Sequence, residues 1–282
     1  MLRHDAPSIA PGGATGSGIR RRTIHATDGL ILEDSARPAD QPIGRGFSPQ
    51  DQIVLPYHGV FLWQVGRMGR LVDPNVVLFV RGGEEFFEAH PFEHLGHGSA
   101  IITLDGAIRG EIGARATADE CVIATRPMPD SIRLATHALL FDPHIQPLER
   151  EERLANILRT VVGNVHVDRD LPKRAIVERA KAVLHDHADE VLSLGLVADM
   201  VGVTPIYLTQ AFRRSEGMPL YRYQMRLRLA RALVELPRSE SLTDLALTLG
   251  FSSHSHFTTT FRAAFGLTPS AFRASAGRRQ IH

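Results

Sequence analysis

Two short stretches late in the chain carry polar side chains at spacings that suit contact with a nucleic acid. In Thr204–Ser215, Leu208 and Phe212 lie four residues apart and mark the inward face of a helix. Ile206, Thr209, Gln210 and Arg213 then fall on the outward face, with Arg214 beside them. In Ser253–Ala264, Phe257 and Phe261 mark the inward face, which leaves His254, Ser255, Thr258, Thr259 and Arg262 outside. A Gln210 amide can make paired hydrogen bonds to the edge of adenine, and Ile206 can pack on a thymine methyl. The hydroxyls of Ser255, Thr258 and Thr259 can bond to bases or phosphates. Arg213, Arg214 and Arg262 suit phosphate neutralisation, which sets register. The second stretch has no Arg, Gln or Asn among its early outward positions. It is expected to contribute more to placement than to sequence choice.

The elements that must position these groups form an internal repeat. Ser193, Leu194, Val197, Ala198 and Gly202 match Ser241, Leu242, Leu245, Ala246 and Gly250 at an offset of 48. After one inserted residue, Leu208, Phe212, Arg213 and Gly217 match Phe257, Phe261, Arg262 and Gly266 at an offset of 49. Each copy reads as helix, tight turn, helix. In the first, Leu194, Val197, Ala198 and Val201 form the expected buried stripe, and Gly202 can end the helix in a left-handed conformation. Thr204 is an expected N-cap, with Pro205 at the first helical position. In the second, Ser241 and Asp244 resemble a capping box. Between the copies, Pro219–Leu236 is a basic helix. Its Arg222, Arg226, Arg228 and Arg231 can form a solvated face or hold the two copies together by pairing with carboxylates. His256, beside Phe257, reads as a packing or capping residue.

From about Arg174 to Ala274 the sequence resembles the AraC/XylS family of bacterial regulators. The most specific piece is G-F-S-S-H-S-H-F-T-T-T-F-R-A-A-F-G-L-T-P-S-A-F-R (Gly250–Arg273), supported by R-L-R-L-A-R-A-L (Arg226–Leu233). The resemblance implies two helix-turn-helix subdomains bridged by one long helix. It also implies that the ten outward residues named above touch bases or nearby phosphates. Two recognition helices on one DNA face would sit about 34 Å apart, one helical turn. The implied partners are double-stranded promoter DNA and RNA polymerase, with activation commoner than repression in the family.

Charge is unevenly spread. The net is +1, but residues 173–282 hold 15 Lys/Arg against 9 Asp/Glu, whereas residues 1–172 hold 17 against 22. A basic C-terminal half is expected where only that half meets a polyanion. The single cysteine, Cys121, excludes an intramolecular disulfide and a multi-cysteine zinc site. It reads as a small buried hydrophobe. No apolar run approaches the length of a membrane span, and the first residues lack the apolar core of a secretory signal. A cytoplasmic protein with no membrane partner is expected.

The N-terminal half has a strand-like texture. Gln52–Tyr57, Val60–Val65, Val76–Val80 and Ser99–Thr103 are short apolar runs separated by turn signals such as Asp73-Pro74-Asn75. About Phe47 to Thr103 resembles the small cupin-type barrel of many such regulators, whose mouth can hold a small effector. His58, His90, His94 and His97, with Glu84, Glu85 and Glu93 nearby, raise a rival reading, a metal-dependent cupin enzyme fused to a DNA-binding tail. Their spacing lacks the closely placed histidines of a cupin metal motif, so neither a bound metal, nor a cofactor, nor catalysis is expected. An amphipathic helix over about Leu148–Val165 can pack against a neighbouring domain or serve as a homodimer contact.

The expected fold is therefore α+β. A flexible leader covers 1–46, a cupin-like barrel 47–143, and the amphipathic helix with its linker 144–172. An all-helical DNA-binding domain covers 173–282, with helix-turn-helix units at 193–217 and 241–266.

Overall fold

The computed structural model describes residues 19–40, 44–92, 94–104, 123–162, 171–188, 190 and 192–277. Cys121, Glu93 and residues 164–170 of the linker lie outside them. Ten strands come first: β1 (Arg20–Thr27), β2 (Leu30–Arg37), β3 (Gly44–Ser48), β4 (Asp51–Gly59), β5 (Phe61–Val65), β6 (Met68–Val72), β7 (Val76–Val80), β8 (Glu84–Ala89), β9 (His97–Leu104) and β10 (Ala124–Pro127). All ladders are antiparallel. They form a six-stranded sheet in the order β1-β2-β9-β4-β7-β10 and a four-stranded sheet in the order β3-β8-β5-β6.

Two expectations need correction here. The barrel is not closed: the described strands form two separate sheets packed face to face. The presumed leader is structured from residue 20, where β1 and β2 extend the larger sheet. The reason β1 escapes a reading by periodicity is its composition, Arg-Arg-Arg-Thr-Ile-His-Ala-Thr, which is almost wholly exposed. Backbone pairing with β2 holds it, and Arg22 Nη2 donates 2.8 Å to the Leu140 carbonyl.

The larger sheet is buried on both faces, which accounts for the unbroken apolar run Ile53-Val54-Leu55. Val54, with Phe61, Trp63, Val72, Val76, Leu78 and Val80, fills the space between the sheets. Trp63 stacks on Phe86 with ring centroids 3.9 Å apart, and Phe61 meets Trp63 edge-on. Ile53 and Leu55 face the opposite way, with Leu32, Val77 and Ile102, onto helices α1 (Asp130–Phe141) and α2 (Pro147–Val162). The stripe of α2, with Leu154, Ile157 and Val161 at its centre, is consumed by this core. Of the two readings of that helix, packing is the one observed. Arg126 on β10 donates to the carbonyls of Thr160 and Val161 at its C-terminal end.

The remaining helices are α3 (Leu171–Asp186), α4 (Leu194–Val201), α5 (Pro205–Glu216), α6 (Leu220–Glu235), α7 (Leu242–Thr248), α8 (His254–Phe265) and α9 (Pro269–Gly277), with a 3-10 turn at Leu236–Arg238. The long helix α6 serves two cores. Leu220, Tyr223 and Leu227 enter a cluster with α3, α4 and α5. Met225, Leu229, Ala232, Leu233 and Leu236 enter a second with α7, α8 and α9. A helix shared in this way must be apolar on more than one side, which its sequence shows.

The halves of the chain meet through buried polar groups. The β6–β7 turn, Asp73-Pro74-Asn75, is held by Asn75 N donating 2.8 Å to Asp73 Oδ1, an Asx-turn. It plugs into the helical domain. Tyr223 Oη donates to Asp73 Oδ2 at 2.5 Å, and His185 Nε2 lies 2.9 Å from the same oxygen. Asn75 Nδ2 donates to the Tyr223 carbonyl. Beside it, Arg70 pairs with Glu216 at 3.2 Å, Lys181 Nζ donates to the Leu71 carbonyl, and Glu178 accepts from Leu71 N. Burial works against the charge of Asp73, yet the His185 hydrogen bond, the Lys181 charge and the Tyr223 hydroxyl hold its carboxyl below the usual range. On the other side, Arg133 donates to Asn75 Oδ1 and to the Arg226 carbonyl. Burial, with repulsion from Arg226, lowers its pKa to about 10. Arg226 itself pairs with Asp130 at 2.8 Å.

Candidate nucleic-acid interface

Each reading unit is built from caps that the sequence supplies. Ser193 Oγ accepts from Leu196 N, and Thr204 Oγ1 accepts from Tyr207 N at the start of α5, with Pro205 at its first position. Between them Gly202 is left-handed at φ 73°, and α4 and α5 meet at 89°, the bend of a helix-turn-helix. In the second unit Ser241 Oγ accepts from Asp244 N, and Ser253 Oγ from His256 N. Gly250 makes the turn at φ 79°. Such caps contribute about 1 kcal/mol each. They also fix where each recognition helix begins. One detail of the expected core differs. Val197, Ala198 and Val201 are buried, but Leu194 is 40% exposed, because the first turn of α4 overhangs the cluster that α3 and α5 complete.

The outward residues are presented as the helical period requires. On α5, Ile206 is 73% exposed, and Gln210, Arg213 and Arg214 are exposed, while Leu208 and Phe212 are fully buried. Thr209 is half-buried, and its hydroxyl donates 2.8 Å to the Pro205 carbonyl. Its hydroxyl can then only accept a further hydrogen bond. On α8, His254, Ser255, Thr259 and Arg262 are exposed and Thr258 is half-buried. His254 Nε2 lies 3.4 Å from Thr258 Oγ1. His256 packs against Phe251 and bonds Ser252 Oγ through Nδ1, a packing role. Arg213, Arg214 and Arg262 make no ion pair among the described residues. Tyr207, 37% exposed beside Ile206, extends this face. An aromatic residue in the first turn of a recognition helix was the available signal for it.

The arginines of α6 divide between the two readings. Arg222 is exposed, whereas Arg226 and Arg228 are structural. Arg228 is buried; it donates to the Gly250 carbonyl at 2.5 Å and to the Glu190 carbonyl at 2.9 Å. It therefore links the turn of the second unit to the segment that precedes the first. Arg231 pairs with Glu235.

Of His58, His90, His94 and His97 in the N-terminal half, His90 and His97 meet each other. His90 Nε2 lies 2.9 Å from His97 Nδ1, and His97 Nε2 lies 3.1 Å from Glu88. Burial and the neighbouring His97 lower the pKa of His90, which favours a neutral imidazole. His58 and His94 line a different cleft, beside His185 and Arg231. Among the described residues no three His, Cys, Asp or Glu side chains converge as a metal site. Likewise, no single helix there is long and apolar enough to cross a membrane.

Two capped helix-turn-helix units hung on one shared helix, with polar outer faces, define a DNA-binding protein. Comparison with known proteins gives the family. A helix-turn-helix domain family model matches residues 197–275. The regulatory protein SoxS of Escherichia coli K12 is 34% identical over 99 residues, which cover 35% of this chain and 92% of SoxS. The transcriptional activator RhaS of Escherichia fergusonii is 31% identical over 125 residues, 44% of this chain. The match spans only 45% of the length of RhaS. An AraC-type regulator structure from Chromobacterium violaceum is 30% identical, with TM-score 0.36, covering 40% of this chain and all of that one. The chain belongs to the AraC/XylS family of DNA-binding transcription regulators.

Proposed function

We propose that this protein is a sequence-specific activator that binds promoter DNA with both units, contacts RNA polymerase, and answers to a small ligand without catalysing a reaction. The observation that carries the reading is the exposure of eight of the ten base- and phosphate-facing groups on α5 and α8, with Thr209 and Thr258 half-buried, while every aromatic of those helices' inner faces is buried. Gln210 and Ile206 would read bases, and Arg213, Arg214 and Arg262 would hold phosphates. α8, which offers short hydroxyls and His254, would set placement. Similarity to RhaS, named as an activator, supports the sign of regulation. The test is selection of bound duplexes from random DNA by the purified chain, followed by in vitro transcription from a promoter bearing the selected site. A selected motif with two half-sites about one helical turn apart, and RNA synthesis that rises with protein, is the expected result. Enrichment of no motif would overturn the reading. The enzyme alternative would be revived by stoichiometric iron or zinc in the purified chain that is lost on substituting His58 and His90.

A further inference from the structure

We infer that a cleft between the N-terminal domain and the second reading unit is the binding site for an organic anion with an apolar body. The inference rests on the regulator reading above and gives its ligand a place and a chemistry. The space between the two sheets, where a barrel would hold an effector, is packed with Phe61, Trp63 and Phe86. A cleft of about 500 Å³ lies instead where β1, α1 and α2 face the 3-10 turn and α9. That volume is in the range of small-molecule sites.

Three cations surround it: Arg22 from β1, Arg150 from α2 and Arg238 from the 3-10 turn. Arg22 is already engaged by Asp34 and the Leu140 carbonyl. Arg150 makes no ion pair among the described residues, and its Nε is buried without a hydrogen-bond partner there. Arg238 is exposed at the rim and likewise makes no ion pair among them. One carboxylate, Asp142, shares the lining, so positive charge is in excess. Apolar side chains stand between the cations, Ile24 and Leu140 on one side and Val234, Pro237 and Phe272 on the other, with Thr23 and His137 among them. Cations set beside hydrocarbon are the arrangement that recognises a carboxylate or sulfonate carried on a ring or chain. A buried donor with no partner is unfavourable, and a bound anion would satisfy it.

The cleft also has a consequence for DNA. One wall belongs to the N-terminal domain and the other to the unit that carries α8. An anion touching both would favour one arrangement of that unit, and DNA and anion would then alter each other's affinity by equal factors.

The test uses the full chain and two fluorescent probes that share a bulky aromatic body. 8-Anilinonaphthalene-1-sulfonate carries a negative charge, whereas N-phenyl-1-naphthylamine is neutral. The sulfonate should bind saturably at one site per chain. The double variant Arg150→Gln, Arg238→Gln should weaken it by about tenfold or more, as loss of charge-assisted hydrogen bonds does, and leave the neutral probe within about twofold. Val234→Phe, which fills the cleft from the α6 side, should weaken both probes. Unsaturable sulfonate binding, or equal affinity in wild type and the double variant, would overturn the assignment. So would Val234→Phe leaving both probes unaffected. Binding of the selected DNA is measured on the same samples. Its absence from the wild-type chain would sink the regulator reading, whereas the probe titrations alone decide the cleft.

Discussion

The first reading unit meets the N-terminal domain through charges shielded from water: Asp73 on His185 and Tyr223, and Arg70 on Glu216. The second meets it through side-chain packing. Leu134 of α1 leans on the cluster of α7–α9, and His137 lies 5.4 Å from the Phe272 ring. The units share a blueprint, yet one is pinned and the other rests beside a cleft. Buried ion pairs gain little over apolar packing in stability, but they tolerate few alternative geometries. Apolar contacts slide at lower cost. The N-terminal half is therefore expected to hold α5 more firmly than α8.

The largest test of that contrast is Asp73→Ala. It strands His185 and Tyr223 in the interior, and removing one partner of a buried pair costs about 3–5 kcal/mol. The urea midpoint should fall accordingly. His137→Ala, on the second contact, should lower it far less. Equal losses would erase the distinction between a pinned and a resting unit.

Next comes the pair of turn glycines. Gly202 and Gly250 have matching left-handed backbones, but a Cβ on Gly202 would meet open space, whereas one on Gly250 would lie 2.7 Å from the Arg228 guanidinium. Gly202→Ala should cost about 1–2 kcal/mol from backbone strain alone. Gly250→Ala should cost more, and thermal melting of the two variants measures the difference. A smaller loss at Gly250 would show that Arg228 yields easily.

On DNA, Gln210→Ala should cost about 1–3 kcal/mol and relax preference at one base, while Arg213→Ala should weaken all sites and reduce the salt slope by about one. Thr259→Ala on α8 should do less than Gln210→Ala. Fluorescence anisotropy against the selected duplex and its single-base variants gives all three. If Thr259→Ala had the greater effect on specificity, the second unit would be the principal reader.

The smallest effect concerns acid. The Asp73 carboxyl is held below its ordinary value, so its contribution is complete above about pH 4, the unfolded carboxylate value. It fades only as pH falls through the lower folded value. The side-chain carboxyl carbon signal of Asp73 should show no inflection at or above about pH 4. An inflection there would mean that the plug is wetter than its burial suggests.

How much of this was readable beforehand varies with the range of the forces involved. The reading units were legible because their signals are local. The caps expected at Thr204 and Ser241 bond within three residues of themselves, and the 3.6-residue period separates Leu208 and Phe212 from Gln210. The strands β4, β5, β7 and β9 were legible as apolar runs. β1 was not, since an edge strand made of arginines has no apolar alternation. The plug was also hidden. Asp73-Pro74-Asn75 announces a turn, but its partner Tyr223 lies 150 residues away, and nothing local to either residue reports the other. The filled interior of the sandwich is likewise a result of packing Trp63 on Phe86 across strands, which no spacing along one strand encodes.

Arg228 has an implication for building hybrids. One guanidinium fastens the bend at Gly250 and the approach to α4, so a single side chain joins the shared helix α6 in setting the gap between the two outward helices. Exchanging either helix pair for that of a relative would preserve the stride along the duplex only if the donor's backbone offers its oxygen at the same place. A graft that shifts it would change which base-pair separations the hybrid tolerates, even with each grafted half intact.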